Sequence, residues 1–384
     1  MKASIPVIDG NTTLALQGFL KTLLESGKVD GLVVPMRTPG GSVTPALVTD
    51  PELLSLADPL APVLPVNGAT LAGKLSIREP RARLALVLRA CEMRALVELT
   101  KMKQASLENL VLISLDCAGT YSVPDFLRKS LTMDSKEELW EELFRAAVDD
   151  PFTPKGELRQ ACQICEHPVY ESAAITIELL GNNYHDQVSL DLSEEWMACL
   201  GSGIESQASV EGNRAEVVQR LVDGRIKQRD IEFEIIRQRL GDGGVSGDND
   251  AGPETITGVF AACIRCHNCM NVCPICYCKT CVFKSEVFDH EPMQYLQWAR
   301  QKGAYRLPAD SMLFHMTRLN HMALSCVGCG MCTEACPAEL PVGMVFRAIG
   351  SNLQQTFEYA PGRSVEEPLP LITFKADEWT EVGE

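Results

Sequence analysis

The stretch CIRCHNCMNVCPICYCKTC, residues 263–281, decides how the C-terminal part of the chain folds. It opens as Cys263-x2-Cys266-x2-Cys269-x3-Cys273, followed by Pro274. The same phrase returns as Cys326-x2-Cys329-x2-Cys332-x3-Cys336, followed by Pro337. Three cysteines on one tight loop reach three corners of an iron–sulfur cubane, and the cysteine before proline crosses to the other cluster. The spacing therefore predicts two 4Fe–4S clusters. One is held by Cys263, Cys266, Cys269 and Cys336, the other by Cys326, Cys329, Cys332 and Cys273. Bare CxxC pairs would also suit tetrahedral zinc, but zinc does not need the repeated phrase with its proline. Disulfides belong to secreted chains, and MKASIPVIDGNTT has no apolar signal core.

Working outward, 384 residues predict two or three domains, and sixteen cysteines point to metal ligation in a reducing compartment. A net charge of −16 argues against nucleic acid or an anionic membrane as partner and suits docking on a basic protein. No run of about eighteen apolar residues occurs, so no spanning helix is expected. The expected location is cytoplasmic, with any membrane attachment passing through partners. No GxGxxG fingerprint supports a nicotinamide Rossmann site, and no nucleophile–base motif supports a hydrolase.

Before the cysteine repeat, the pattern is α/β. Asn11 or Thr12 caps an apolar-faced helix closed by Gly27, then 31–35 and 45–49 read as strands and 65–70 as a loop. The unpaired N–H groups at that helix start also suit a phosphate. LALVL (84–88) runs into Cys91, and LVLISL (110–115) runs into Cys117. Two apolar strands, each ending in a cysteine at the turn into a helix, place both thiols on one edge of a parallel sheet, where α/β folds carry their sites. Cys162-x2-Cys165 follows, before a strand at 174–179. Spacing leaves open whether Cys91, Cys117, Cys162 and Cys165 form a four-thiolate cluster site, a zinc pair with separate thiols, or packing residues.

Four pieces carry a resemblance: LALQGFLKTLLESGKVDGLVV, LVLRACEMRAL, LISLDCAGTYSVPDFL and KGELRQACQICEHPVYESAAITIELLG. Together they resemble the beta-subunit family of coenzyme F-420-reducing hydrogenases and formate dehydrogenases, over roughly residues 10–182. The chain departs from many relatives in having LRACE where they have a Pro-Cys-Gln phrase, and in lacking cysteines before Cys91. The resemblance implies FAD, a third 4Fe–4S cluster on Cys91, Cys117, Cys162 and Cys165, and electron transfer between a soluble hydride carrier and a partner's metal centres. It implies partner subunits of a dehydrogenase or hydrogenase complex, with formate dehydrogenase first. Loop position, helix starts and charge nominate Asn11, Thr12, Asn67, Lys74 and Arg89 as flavin contacts. A flavin-free electron conduit linking a dehydrogenase to a heterodisulfide-reductase-like or membrane partner is the alternative, and a zinc scaffold a third reading.

The expected fold is an α/β (α+β) flavin and iron–sulfur domain over 1–205, joined through a helix and glycine-rich linker (206–252) to a mainly helical dicluster ferredoxin domain over 253–345. A helix and docking tail fill 346–384. The insert 282–325 separates the two cysteine phrases with two helical patterns, and resembles the helical ferredoxin modules of heterodisulfide-reductase and succinate-dehydrogenase type subunits. His315 and His321 lie there. Each cluster already has four thiolates, so packing or hydrogen bonding to sulfur is expected of them. Cys199, Cys276, Cys278 and Cys281 remain, and the last three form a compact Cys-x-Cys-x2-Cys phrase. Sixteen cysteines divide into four sets of four, which leaves room for a fourth site.

Overall fold

The computed structural model describes residues 1–79, 81–133, 135–150, 157–200, 205–206, 213–241, 255–288, 291–303 and 309–370. They form two compact units. The first comprises Met1–Asp230 with Val327–Gly330 and Ala360–Glu384; the second comprises Ile231–Cys326 and Met331–Tyr359. The division falls inside the helix Arg214–Gly241. The glycine-rich stretch 242–252 and the charged tail 371–384 lie outside the described residues.

The first unit is built on one mixed sheet. Its strands are β1 (Lys2–Pro6), β2 (Gly31–Arg37), β3 (Val43–Val48), β4 (Leu84–Arg89), β5 (Leu110–Leu115), β6 (Ile175–Glu178), β7 (Gln187–Leu192) and β8 (Glu205–Ser206), in the order β3-β2-β4-β5-β6-β7-β1-β8. The middle pairs β2–β4, β4–β5 and β5–β6 are parallel, and the flanking pairs are antiparallel. The composition of β4, LALVLR, explains its place. All six residues are buried, as a parallel strand covered on both faces requires. The strand-to-strand crossover from β4 to β5 is the helix Ala90–Lys101.

The helix Thr12–Glu25 begins as its sequence predicts. Asn11 caps it by accepting from the Leu14 N–H at 2.8 Å, and Gly27 follows its end at a left-handed φ of +67°. Its buried face, Leu16, Phe19, Leu20, Leu23 and Leu24, joins the main core. Several elements were not expected. The loop at 65–70 ends early, because Asn67 caps a helix over Gly68–Arg78 by accepting from the Ala69 N–H. Strands β1 and β7 are also new; they find each other across the chain, with Lys2 opposite Asp191 and Pro6 opposite Gln187.

The second unit is mainly helical. The helices Pro292–Lys302 and Ala309–Met322 occupy the insert between the cysteine phrases, as the pattern predicted, and Val342–Thr356 follows the second phrase.

Candidate metal centres

The first unit carries a recess at the C-terminal edge of its parallel strands. β4 and β5 run in register, with Arg89 opposite Leu115, so Cys91 and Cys117 each stand two residues beyond paired strand ends. A short helix, Gln160–Gln163, brings in Cys162, and Cys165 follows it. That segment is pinned to the Cys117 turn by main-chain bonds. The Arg159 N–H donates to Thr120 O at 3.0 Å, and the Cys117 N–H donates to Pro168 O at 2.9 Å. Cys91, Cys117, Cys162 and Cys165 thus line one recess with about 420 Å³ of empty space including its mouth. Cys329 also lines it, on the loop Val327–Gly330 that belongs to this unit. Among the described residues no three His, Cys, Asp or Glu side chains are drawn together into a closed metal-holding group.

Three buried arginines surround these thiols. Arg89 donates to Ala61 O, and Arg225 donates to Ala118 O. Arg159 donates to the Thr120 hydroxyl oxygen at 2.8 Å and to the Cys162 sulfur at 3.6 Å. Burial pushes the Cys91, Cys117 and Cys165 thiols up from their ordinary value. Burial also opposes ionisation of Cys162, but the Arg159 guanidinium and the Thr120 hydroxyl outweigh it and hold that thiol below the usual range. A cluster bound by four thiolates is anionic, and fixed guanidinium charges are what its burial calls for. The donor set and its surroundings therefore fit an iron–sulfur group.

The wall behind the recess is tied together by buried hydrogen bonds. Glu92, in the first turn of Ala90–Lys101, accepts from the Arg89 N–H at 3.0 Å and from the Gly68 N–H at 2.7 Å, joining two helix starts beside Cys91. Asp116, just before Cys117, accepts from the Leu179 and Leu180 N–H groups and from Arg214, whose Nη2 lies 2.7 Å from Oδ1.

The five residues nominated for flavin have different placements. Arg89 lines the recess and also a neighbouring apolar hollow bounded by Trp140, Leu143 and Phe144. Asn11 is engaged in its helix cap, and the Thr12 hydroxyl donates to Tyr184 O at 2.8 Å. Asn67 is buried, with its carbonyl oxygen capping a helix and its amide nitrogen unpartnered. Lys74 is exposed. Of the five, Arg89 alone is among the residues lining either hollow.

In the second cysteine-rich region the repeat is visible in the backbone. Within the first phrase Arg265 and His267 have φ of +58° and +57°; the matching positions of the second phrase are Gly328 and Gly330, at +73° and +72°. Each loop then enters a one-turn helix, Asn268–Asn271 or Met331–Glu334. A left-handed residue with a Cβ costs roughly 1–2 kcal/mol. Side-chain contacts offset it in the first loop. Arg265 pairs with Asp310 at 2.6 Å, and the His267 ring stacks on Phe314 at 4.5 Å.

The helix Ala309–Met322 supplies contacts to the sulfurs. His315 Nε2 lies 3.3 Å from the Cys263 sulfur, and its ring stacks on Phe260 at 4.0 Å. Burial, helped by nearby Arg318 and His267, lowers the imidazole pKa to about 4, so the ring is neutral near pH 7. Arg318 donates to the Cys269 sulfur at 3.1 Å and to Cys269 O at 3.0 Å. The Leu340 N–H donates to the Cys336 sulfur at 3.4 Å. His321 is exposed. Cys276 and Cys281 pack against the small core of Cys269, Met270, Phe283 and Phe314, and Cys278 is exposed. The side chain of Cys199 lies outside the described residues. Arg159, Arg225 and Arg318 escaped sequence reasoning; an arginine three residues before a CxxC is the only local signal, and it serves Arg159 alone.

One family model and several known proteins resemble this chain. Residues 260–340 match the family model described as a 4Fe-4S dicluster domain. The F420-dependent formate dehydrogenase subunit beta of Methanocaldococcus jannaschii is 24% identical, over 93% of this chain and 93% of its own length. The F420-dependent formate dehydrogenase 1 subunit beta of Methanococcus maripaludis is 26% identical, over 97% and 96%. A chain of the F420-reducing nickel–iron hydrogenase complex from Methanosarcina barkeri covers 61% of this chain and 92% of itself, with 12% identity and a TM-score of 0.43. No helix among the described residues is long and apolar enough to cross a membrane.

Proposed function

We infer that this chain, an oxidoreductase subunit of the beta-subunit family found in formate dehydrogenases and coenzyme F-420-reducing hydrogenases, is an iron–sulfur flavoprotein that carries electrons within a larger complex. The observation that carries the reading is the recess in which Cys91, Cys117, Cys162 and Cys165 meet among Arg89, Arg159 and Arg225. These four thiols would ligate a third 4Fe–4S cluster beside the two of the dicluster domain. By their spacing, the ligand sets of those two would be Cys263, Cys266, Cys269 and Cys336, and Cys326, Cys329, Cys332 and Cys273. FAD, when bound, supplies exchange between a hydride and single electrons, which side chains cannot provide. Its carrier by analogy with the relatives is F-420, and formate dehydrogenase catalytic subunits are the first partners to test.

The chain's own residues do the rest. Arg159 and Thr120 hold Cys162 toward the thiolate that a metal ligand must be. Glu92 and Asp116 fix the two strand ends from which Cys91 and Cys117 project. Arg89, at the wall shared by the recess and the Trp140-lined hollow, is the side chain placed to touch a cofactor next to the cluster. One observation favours a second reading. Asn11 is committed to its helix cap and the Thr12 hydroxyl to the distant Tyr184 O, as a flavin-free conduit would allow.

Anaerobic quantitation of iron, sulfide, zinc and flavin in the purified chain tests both. Four irons per cluster give about twelve irons with one FAD for the favoured reading. About twelve irons without flavin select the conduit, and about eight irons remove the third cluster. About sixteen would bring Cys276, Cys278 and Cys281 in as ligands of a fourth.

A further inference from the structure

Arg318 is 3% exposed and lies in the second unit between the rings of Phe314 and Phe346, at 5.5 and 5.1 Å from their centroids. A guanidinium stays protonated in proteins, so its burial demands a counter-charge. Among the described residues no carboxylate pairs with it; its hydrogen bonds go to the sulfur and carbonyl of Cys269. A sulfur that ligates a cluster carries charge and would supply the counter-charge that this arginine lacks.

His315 stands one turn earlier on the same helix and points at a second sulfur of the same proposed set, that of Cys263. A ligating thiolate only accepts, so the imidazole proton sits on Nε2, and Nδ1 makes no hydrogen bond. The Leu340 N–H reaches a third member, Cys336. Three donors from two separate segments thus converge on three of four ligands.

We propose that Arg318, supported by His315, sets the reduction potential of the cluster held by Cys263, Cys266, Cys269 and Cys336, keeping it above the value those thiolates would give without a fixed cation. The inference rests on that ligand assignment. Uptake of one electron, delivered by a redox partner, adds one negative charge beside a cation that is already in place, and no proton has to move. The oxidised state gains less from the same cation, so the reduced state is favoured. Hydrogen bonds to sulfur and net charge are the protein's levers on cluster potential. Neither Arg318 nor His315 ligates iron; both are positioning residues.

The test is a potentiometric titration of the full chain, followed by electron paramagnetic resonance, with iron measured on every sample. In Arg318→Gln we expect iron to be retained and one couple to move negative by about a tenfold change in its equilibrium constant, 59 mV for one electron. His315→Gln should move the same couple by less, and Arg318→Lys should stay near the wild type. Unchanged potentials with iron retained overturn the proposal. So do different couples moving in the two glutamine variants, or a lysine variant that shifts as far as glutamine. If Arg318→Gln loses iron, the His315→Gln and Arg318→Lys potentials decide by the same criteria. Failure of the ligand assignment shows separately, as Cys269→Ser retaining full iron.

Discussion

Asp116→Ala should unfold the wall of the thiol recess. The Asp116 carboxylate is 1% exposed and accepts from the Leu179 N–H at 3.0 Å, from the Leu180 N–H at 3.1 Å, and from Arg214 at 2.7 and 3.3 Å. Truncation strands two buried N–H groups, at roughly 1–3 kcal/mol each, and leaves a guanidinium without its main counter-charge, at roughly 3–5 kcal/mol. These costs overlap because the same two oxygens serve all the donors. Arg214 also keeps Glu178, whose Oε1 is 3.5 Å from its Nε. We therefore expect a net loss of about 3–5 kcal/mol, or about 6–20 °C in Tm for a unit of roughly this size. Asp116→Asn keeps an acceptor for the main-chain donors though not the charge facing Arg214, and should cost less than alanine, about 2–3 kcal/mol. Guanidinium denaturation followed by the fluorescence of Trp140 and Trp196, both buried in the first unit, reads the difference. The iron content of Asp116→Ala should fall too, since Cys117 follows directly. A loss below about 1 kcal/mol, or equal losses for the two variants, would refute the reasoning.

Gly362→Ala should destabilise the first unit by about 2–5 kcal/mol, measured by the same denaturation. Gly362 has a φ of +75°, and an added Cβ would stand 2.4 Å from the Arg94 Cα, Cβ and carbonyl oxygen, which no rotamer change can relieve. Cys162→Ser should lower iron by about four per chain and leave the irons of the dicluster domain in place, as metal analysis would show. Asp58 gives a pH signature. Burial raises its pKa above the ordinary carboxylate value, against the pull of Arg37. Its contribution is therefore fully present below the unfolded pKa, about 3.9, and is lost as pH rises through the higher folded value. The stability advantage of the wild type over Asp58→Asn should shrink as pH rises above about 4 through the raised folded value, and a constant difference would count against the raised pKa.

The sequence by itself determined what depends on neighbours along the chain. Cysteine spacing within one loop is local, so the repeated phrase at 263–273 and 326–336 was readable, and it coincides with the 4Fe-4S dicluster match over 260–340. Continuous apolar runs bounded by Cys91 and Cys117 predicted parallel strands with both thiols on one edge, and the register of Arg89 with Leu115 delivers that arrangement. Capping chemistry at Asn11 was equally local.

The tertiary structure decided the rest, because those features join residues that no local pattern links. β1 finds β7 across almost the whole first unit, since a strand's partner is chosen by register and burial against a distant segment. The helix Arg214–Gly241 reads from its sequence as a charged solvated or interface helix, and only the fold shows that Arg225 is buried, where it reaches Ala118 O. Nothing in the local sequence around Arg318 marks it out, and the fold puts it against Cys269. Arg265 and His267 adopt the left-handed backbone that glycines take in the second phrase, because Asp310 and Phe314 from a later helix hold their side chains there. Sulfur ligation is written in spacing. The charge environment that sets what a cluster does comes from segments far apart in sequence, and folding alone brings them together.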